Sequence, residues 1–107
     1  MPVARKPKEY KEQQALVRYL RRRGFFVYAI PNHKEQRADI GAVAGMPDLQ
    51  IVLEDKKVIW VEMKRQKGGR VSEAQKQVHA LLEGLGHIVI LGFGAKDCVA
   101  KLDEYLN

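Results

Sequence analysis

The stretch PDLQIVLEDKKVIWVEMK, residues 47–64, decides the fold. LQIVLE (49–54) and VIWVEM (58–63) are apolar, β-prone runs, and the charged link Asp55-Lys56-Lys57 between them predicts an antiparallel hairpin. The length of the turn matters because side chains alternate between faces along a strand. A one-residue slip in register sends a side chain to the other side of the sheet. A two-residue turn pairs Asp48 with Met63 and parts the carboxylates. A three-residue turn centred on Asp55 pairs Asp48 with Glu62 and aims both the same way, on the face that also carries Trp60 and Lys64. The odd-length turn, or an equivalent bulge, is the expectation.

Upstream, KEYKEQQALVRYLRRR (8–23) reads as a helix with Leu16, Val17 and Leu20 as its apolar stripe and Gly24 as its stop. FFVYAI (25–30), closed by Pro31, reads as a buried strand, and residues 31–47 as a long loop of the kind that often carries function. Downstream, Ser72 and Gln75 are spaced as a capping box ahead of a helix over 73–86, in which Val78, Leu81, Leu82 and Leu85 recur at helical intervals. HIVILG (87–92) is a fourth strand, and residues 95–107 form a third helix with Val99, Leu102 and Leu106 in register. The strand–helix–strand step favours a parallel crossover. The fold class is therefore α/β, a mixed four-stranded sheet flanked by helices.

A length of 107 residues, 46% of them hydrophobic, suits one domain over 1–107, with 1–7 as a flexible tail. No run approaches the ~20 apolar residues of a membrane span, and the N-terminal residues lack the apolar run of a secretion signal. A soluble cytoplasmic protein with no membrane partner is expected. The single cysteine, Cys98, and the scattered His33, His79 and His87 offer neither an internal disulfide nor a zinc cluster. His79 is read as a surface or partly buried residue, and Trp60 as core packing beneath the helices.

The net charge is +6, and residues 1–24 hold eight Lys/Arg against two Asp/Glu, while 25–107 hold eleven of each. The excess lies in these N-terminal residues, where Arg21, Arg22 and Arg23 cluster at the end of the first helix. A second basic group, Lys64, Arg65, Lys67 and Arg70, surrounds Gly68 and Gly69. Such patches suit a polyanion, since Lys/Arg contacts to phosphates release condensed counterions. The glycine loop lacks the GxxxxGK[ST] spacing of a triphosphate cradle, so no nucleotide cofactor is expected, and a backbone contact to DNA or a plain flexible turn is the better reading.

Two carboxylates about 4 Å apart repel by roughly 4 kcal/mol at an effective dielectric of 20, so a hairpin that joins Asp48 to Glu62 needs a proton, a cation or water between them. Lys64 supplies part of that relief. Oxygen donors without Cys or His match a hard dication, Mg2+ or Mn2+, able to acidify a bound water and stabilise charge on a phosphodiester. Glu12 lies four and eight residues before Leu16 and Leu20, at the edge of the helix face that packs on the sheet, and is a third candidate carboxylate.

Pro47-Asp48 followed fourteen residues later by Glu62-Met63-Lys64 is the PD…ExK signature of restriction-endonuclease-like nucleases. More narrowly, the chain resembles the virus-type replication-repair nuclease (VRR-NUC) family. The resemblance rests on Glu12-Gln13, Asn32, Gly45-Met46-Pro47-Asp48-Leu49, Val61-Glu62-Met63-Lys64, and Val71-Ser72 with Gln75, in the family's order from about residue 9 to 92. It implies an αβββαβ core in which Asp48, Glu62 and the Met63 carbonyl hold the dication. Glu12 would act directly or through water, Lys64 would activate or position the attacking water, and Gln75 would line the site. It further implies DNA as substrate, branched forms such as four-way (Holliday) junctions included. It also implies a homodimer, a role in DNA repair, and a phage or other prokaryotic setting. The alternative is a non-catalytic nucleic-acid-binding protein of the same fold. The intact Asp48, Glu62 and Lys64 favour the enzyme, because pure binding gains nothing from clustered acids that repel phosphate.

Overall fold

The structure, a computed structural model, describes residues 8–31 and 40–107. The expected tail over 1–7 and residues 32–39 of the 31–47 loop, Asn32 and His33 among them, lie outside the described residues. The elements run α1 (Lys8–Arg22), β1 (Phe26–Ala29), β2 (Leu49–Val52), β3 (Val58–Lys64), α2 (Glu73–Gly84), β4 (Ile88–Phe93) and α3 (Ala95–Leu106). The strands lie side by side in chain order, with β1–β2 and β2–β3 antiparallel and β3–β4 parallel. This is the expected mixed sheet, with element ends shifted by one to two residues.

One face of the sheet is the core. Ile59, Val61 and Met63 of β3 pack with Leu49 and Ile51 of β2, Val27 of β1 and Ile90 of β4. Leu16 and Leu20 of α1 and Cys98 and Leu102 of α3 close over them. Burial holds the Cys98 thiol up at about 12, so it stays a neutral packing group. The pleat turns Trp60, Glu62 and Lys64 to the opposite face, where α2 lies.

Two expectations about burial fail for identifiable reasons. The 25–30 run was expected to be a buried strand, but β1 is an edge strand in which only Val27 is buried, and Phe26 stands 66% exposed. Only the α1 side of β1 is covered. In α2 the apolar spacing splits: Val78 is buried, whereas Leu81 and Leu85 point outward. The inward arc is shared with Gln75 and His79, which serve the polar site.

Candidate active site

The hairpin turn has the odd length that joins the carboxylates. Leu53 N–H donates to the Lys57 carbonyl, leaving Glu54, Asp55 and Lys56 as the loop, with Asp55 (φ 61°) and Lys56 (φ 63°) in the left-handed region. Leu49 accordingly faces Val61, and the next pair outward is Asp48 opposite Glu62. Because 53/57 is a hydrogen-bonded pair, alternation makes 48/62 a non-hydrogen-bonded one, the type whose Cα atoms approach to ~4.5 Å with side chains closest. Asp48 turns its own carbonyl the other way, to accept from Ile30 N–H of the β1 side.

Continued beyond β2, the same register would set Pro47 opposite Met63, and Pro47 has no N–H to offer. Met63 N–H turns instead to the Asp48 side chain, donating to Oδ2 at 2.8 Å. In a strand the N–H and C=O of one residue point to the same neighbour, so the Met63 carbonyl faces the same gap beside Asp48. The Pro-Asp pair thus fixes one carboxylate and leaves one carbonyl oxygen without a ladder donor. The loop that delivers it passes so close to α2 that a Cβ on Gly45 (φ +90°) would lie 2.4 Å from the Ala74 carbonyl oxygen. Only glycine fits there.

Glu62 is 1% exposed and gripped from α2. Gln75 Nε2 donates to its Oε2 at 3.2 Å, and His79 Nε2 lies 3.1 Å from its Oε1. Gln75 does double duty, since its Oε1 accepts Ser72 N–H while its own N–H donates to Ser72 Oγ. The predicted capping box is therefore complete, and it locks a side chain of the site. Lys64 Nζ stands 3.9 Å from Glu62 Oε2 and is almost fully buried.

Burial pushes the Glu62 carboxyl up to about 9, helped by the charge of Asp48 and a hydrogen bond with it and opposed by Lys64. Burial likewise lowers His79 below the usual histidine value. This pocket fits a hard dication. Its donor set is oxygen only, and Glu62 is a buried acid that the nearby ammonium does not fully compensate. Among the described residues no group of three or more His, Cys, Asp or Glu converges to make an all-protein cage. One or two carboxylates plus a carbonyl are the usual protein share for Mg2+.

Other expected residues fall elsewhere. Glu12 is not brought to the carboxylate pair by its hydrogen bonds: Oε1 accepts Ala95 N–H at 2.8 Å, at the start of α3, and Oε2 accepts Gln66 Nε2 at 2.9 Å. The residue of α1 whose charge raises Glu62 is half-buried Glu9, one turn earlier. Arg65, Lys67, Gly68 and Arg70 are exposed directly after Lys64, and Gly69 packs so tightly that a Cβ would sit 2.8 Å from Lys64 Cβ. Arg21 and Arg22 end α1, and Arg23 follows it, at the opposite pole, beside the start of β1, and β3 alone spans roughly 20 Å between the poles. Arg21 donates to the Val27 carbonyl. Arg23 reaches Tyr19, Asn107 and Asp103 and lies over the Phe25 ring, so it is largely spent on packing α1 against α3. Trp60 is only half-buried, with His87 edge-on and its indole N–H buried without a partner.

Two solved structures share this architecture. One, described as a VRR_NUC domain protein, superposes with a TM-score of 0.81 at 18% identity, covering 96% of this chain and 91% of its own. The chain has the VRR_NUC fold. The other, described as a VRR_NUC domain, gives 0.72 at 20% identity over 95% of this chain and 100% of its own. No protein-family model and no curated protein matches the sequence. Among the described residues no helix is long and apolar enough to cross a membrane.

Proposed function

We propose that the protein is a Mg2+- or Mn2+-dependent endodeoxyribonuclease that hydrolyses phosphodiester bonds in branched DNA, four-way junctions included, as a homodimer. The observation that carries this reading is the convergence of Asp48 and buried Glu62 across the hairpin with Lys64 beside them. Asp48, Glu62 and the Met63 carbonyl would hold the dication, which when bound supplies charge neutralisation at phosphate and acidifies water.

The chain's own groups do the rest. Lys64, nearly buried, presents a fixed ammonium that orients the attacking water and steadies the charge gathering on the phosphate. Gln75 holds the Glu62 carboxylate in place. Arg65, Lys67 and Arg70 take the DNA backbone next to the cut, and Gly68-Gly69 lets that backbone come close. Glu12 contributes by anchoring Gln66, and with it the start of this basic loop, to the head of α3. Arg21 and Arg22 would touch only DNA that runs to the far pole. Outward-facing Leu81, Leu85 and Phe26 are apolar surface of the kind a second copy would cover.

The test is cleavage of end-labelled four-way, flapped and linear duplexes with Mg2+, Mn2+ or chelator. Metal-stimulated nicking near the branch, abolished by chelation, is expected. Salt-sensitive binding without cleavage on every substrate would leave the non-catalytic binder instead. Sedimentation at micromolar concentration reads the dimer.

A further inference from the structure

Among the described residues, His79 is the one histidine that the fold buries against an acidic group, and nothing in its spacing announces it. It sits four residues after Gln75, one turn along the same face of α2. Each of the two residues holds a different oxygen of the same carboxylate, His79 at Oε1 and Gln75 at Oε2. His79 is 9% exposed and Glu62 1%, so water does not compete for either contact. A glutamate's terminal torsion is broad and roughly two-fold. Two hydrogen-bond partners at the ends of one carboxylate remove that freedom and set the plane in which its remaining lone pairs point. A carboxylate that has given up its proton to ligate a dication only accepts, so in that state His79 must carry its proton on Nε2 to keep this bond.

The geometry points to His79 as a positioning residue that donates from Nε2 to Glu62 and aims the other lone pairs of that carboxylate at the dication site beside Asp48. The inference rests on the proposed metal-dependent function and adds a residue to it. Groups that orient a ligating carboxylate from behind typically govern affinity by about 10–100-fold when removed.

The experiment measures dication binding directly, by Mn2+ paramagnetic resonance and by calorimetry with Mg2+, on wild type, His79→Leu and His79→Gln. Leucine fills the space without a donor, whereas glutamine restores an N–H at similar reach. The expected result is a loss of roughly 10-fold or more in affinity for His79→Leu and recovery to within about threefold of wild type in His79→Gln. Wild type that binds while His79→Leu binds equally well overturns the inference and leaves the proposed function standing. Wild type that takes up neither ion overturns both. Should the variants not fold, side-chain nitrogen spectra of wild-type protein in saturating Mg2+ decide the matter. An Nε2-protonated neutral His79 is expected, and the Nδ1-protonated tautomer overturns the assignment.

Discussion

The two faces of β3 do opposite work with alternate residues of one strand. Toward α1 and α3, Ile59, Val61 and Met63 are fully buried among aliphatic neighbours, and every contact lowers the free energy of the fold. Toward α2, Glu62 and Lys64 are almost as deeply buried, yet the acid is held well above its ordinary pKa and one partner, Asp48, repels it. The first face is where the sequence stabilises itself. The second spends part of that stability to hold a charge arrangement that would relax in water, a trade common at functional sites.

Substitutions on the chemical face should abolish turnover and spare folding. Lys64→Ala is expected to cut the cleavage rate by roughly 100–1000-fold, the cost of removing one preorganised donor to developing charge, with DNA binding largely kept. Single-turnover cleavage alongside a binding titration checks it, and an unimpaired rate removes Lys64 from the mechanism. Ile59→Ala, on the apolar face of the same strand, should do the reverse. A loss of about 2–5 kcal/mol by urea unfolding is expected, with cleavage per folded molecule near wild type at low temperature.

A third prediction turns on the proton that Glu62 retains. Its folded pKa of about 9 lies above the ordinary carboxyl value of 4.5, so between those values the native state binds more protons than the unfolded chain. That contribution to stability is complete below about 4.5 and is lost as pH rises toward 9. Without divalent ions, stability should fall across pH 5 to 9, with a ceiling near 1.4 kcal/mol per pH unit for one proton. Glu62→Gln, already neutral, should flatten the slope, and Asp48→Asn should shallow it by removing the repelling charge. Saturating Mg2+ should flatten it as well if the ion replaces the proton. A wild-type slope unchanged in Glu62→Gln assigns the titration elsewhere.

The sheet was readable because its signals are local and periodic. The strand alternation of 58–63, the turn around Asp55 and the Ser72–Gln75 box each constrain the chain over a few residues; the first two set the 48/62 register and the third starts α2. The roles of His79, Glu9 and Glu12 were not, because each depends on where two distant elements meet. His79 has no ligand spacing of its own, and its meaning appears only once α2 crosses behind β3. Glu12 did show as an acid on an inward helix edge, but the packing of α1 against α3 settles what it faces. The split of α2's leucines was hidden for the same reason, since helical period alone does not say which part of an arc a polar site will claim.

Glu12 provides the smallest and sharpest comparison, since the same residue was a candidate for either kind of work. As a strut it caps the first N–H of α3, a helix whose own N-cap is Gly94 with no side chain to offer, and it tethers Gln66 at the root of the basic loop. Loss of a cap costs about 1 kcal/mol, so Glu12→Ala should lower stability by that order in thermal or urea unfolding. Loosening of the loop should weaken DNA binding a few-fold, since the Arg65 to Arg70 backbone would then order only on contact. A ligand to the dication behaves otherwise. Its removal lowers metal affinity and cleavage steeply while leaving the melting temperature in chelator unchanged. Measuring Mn2+ affinity and chelator-treated stability on the same Glu12→Ala sample therefore assigns the residue to one face of the molecule's economy or the other.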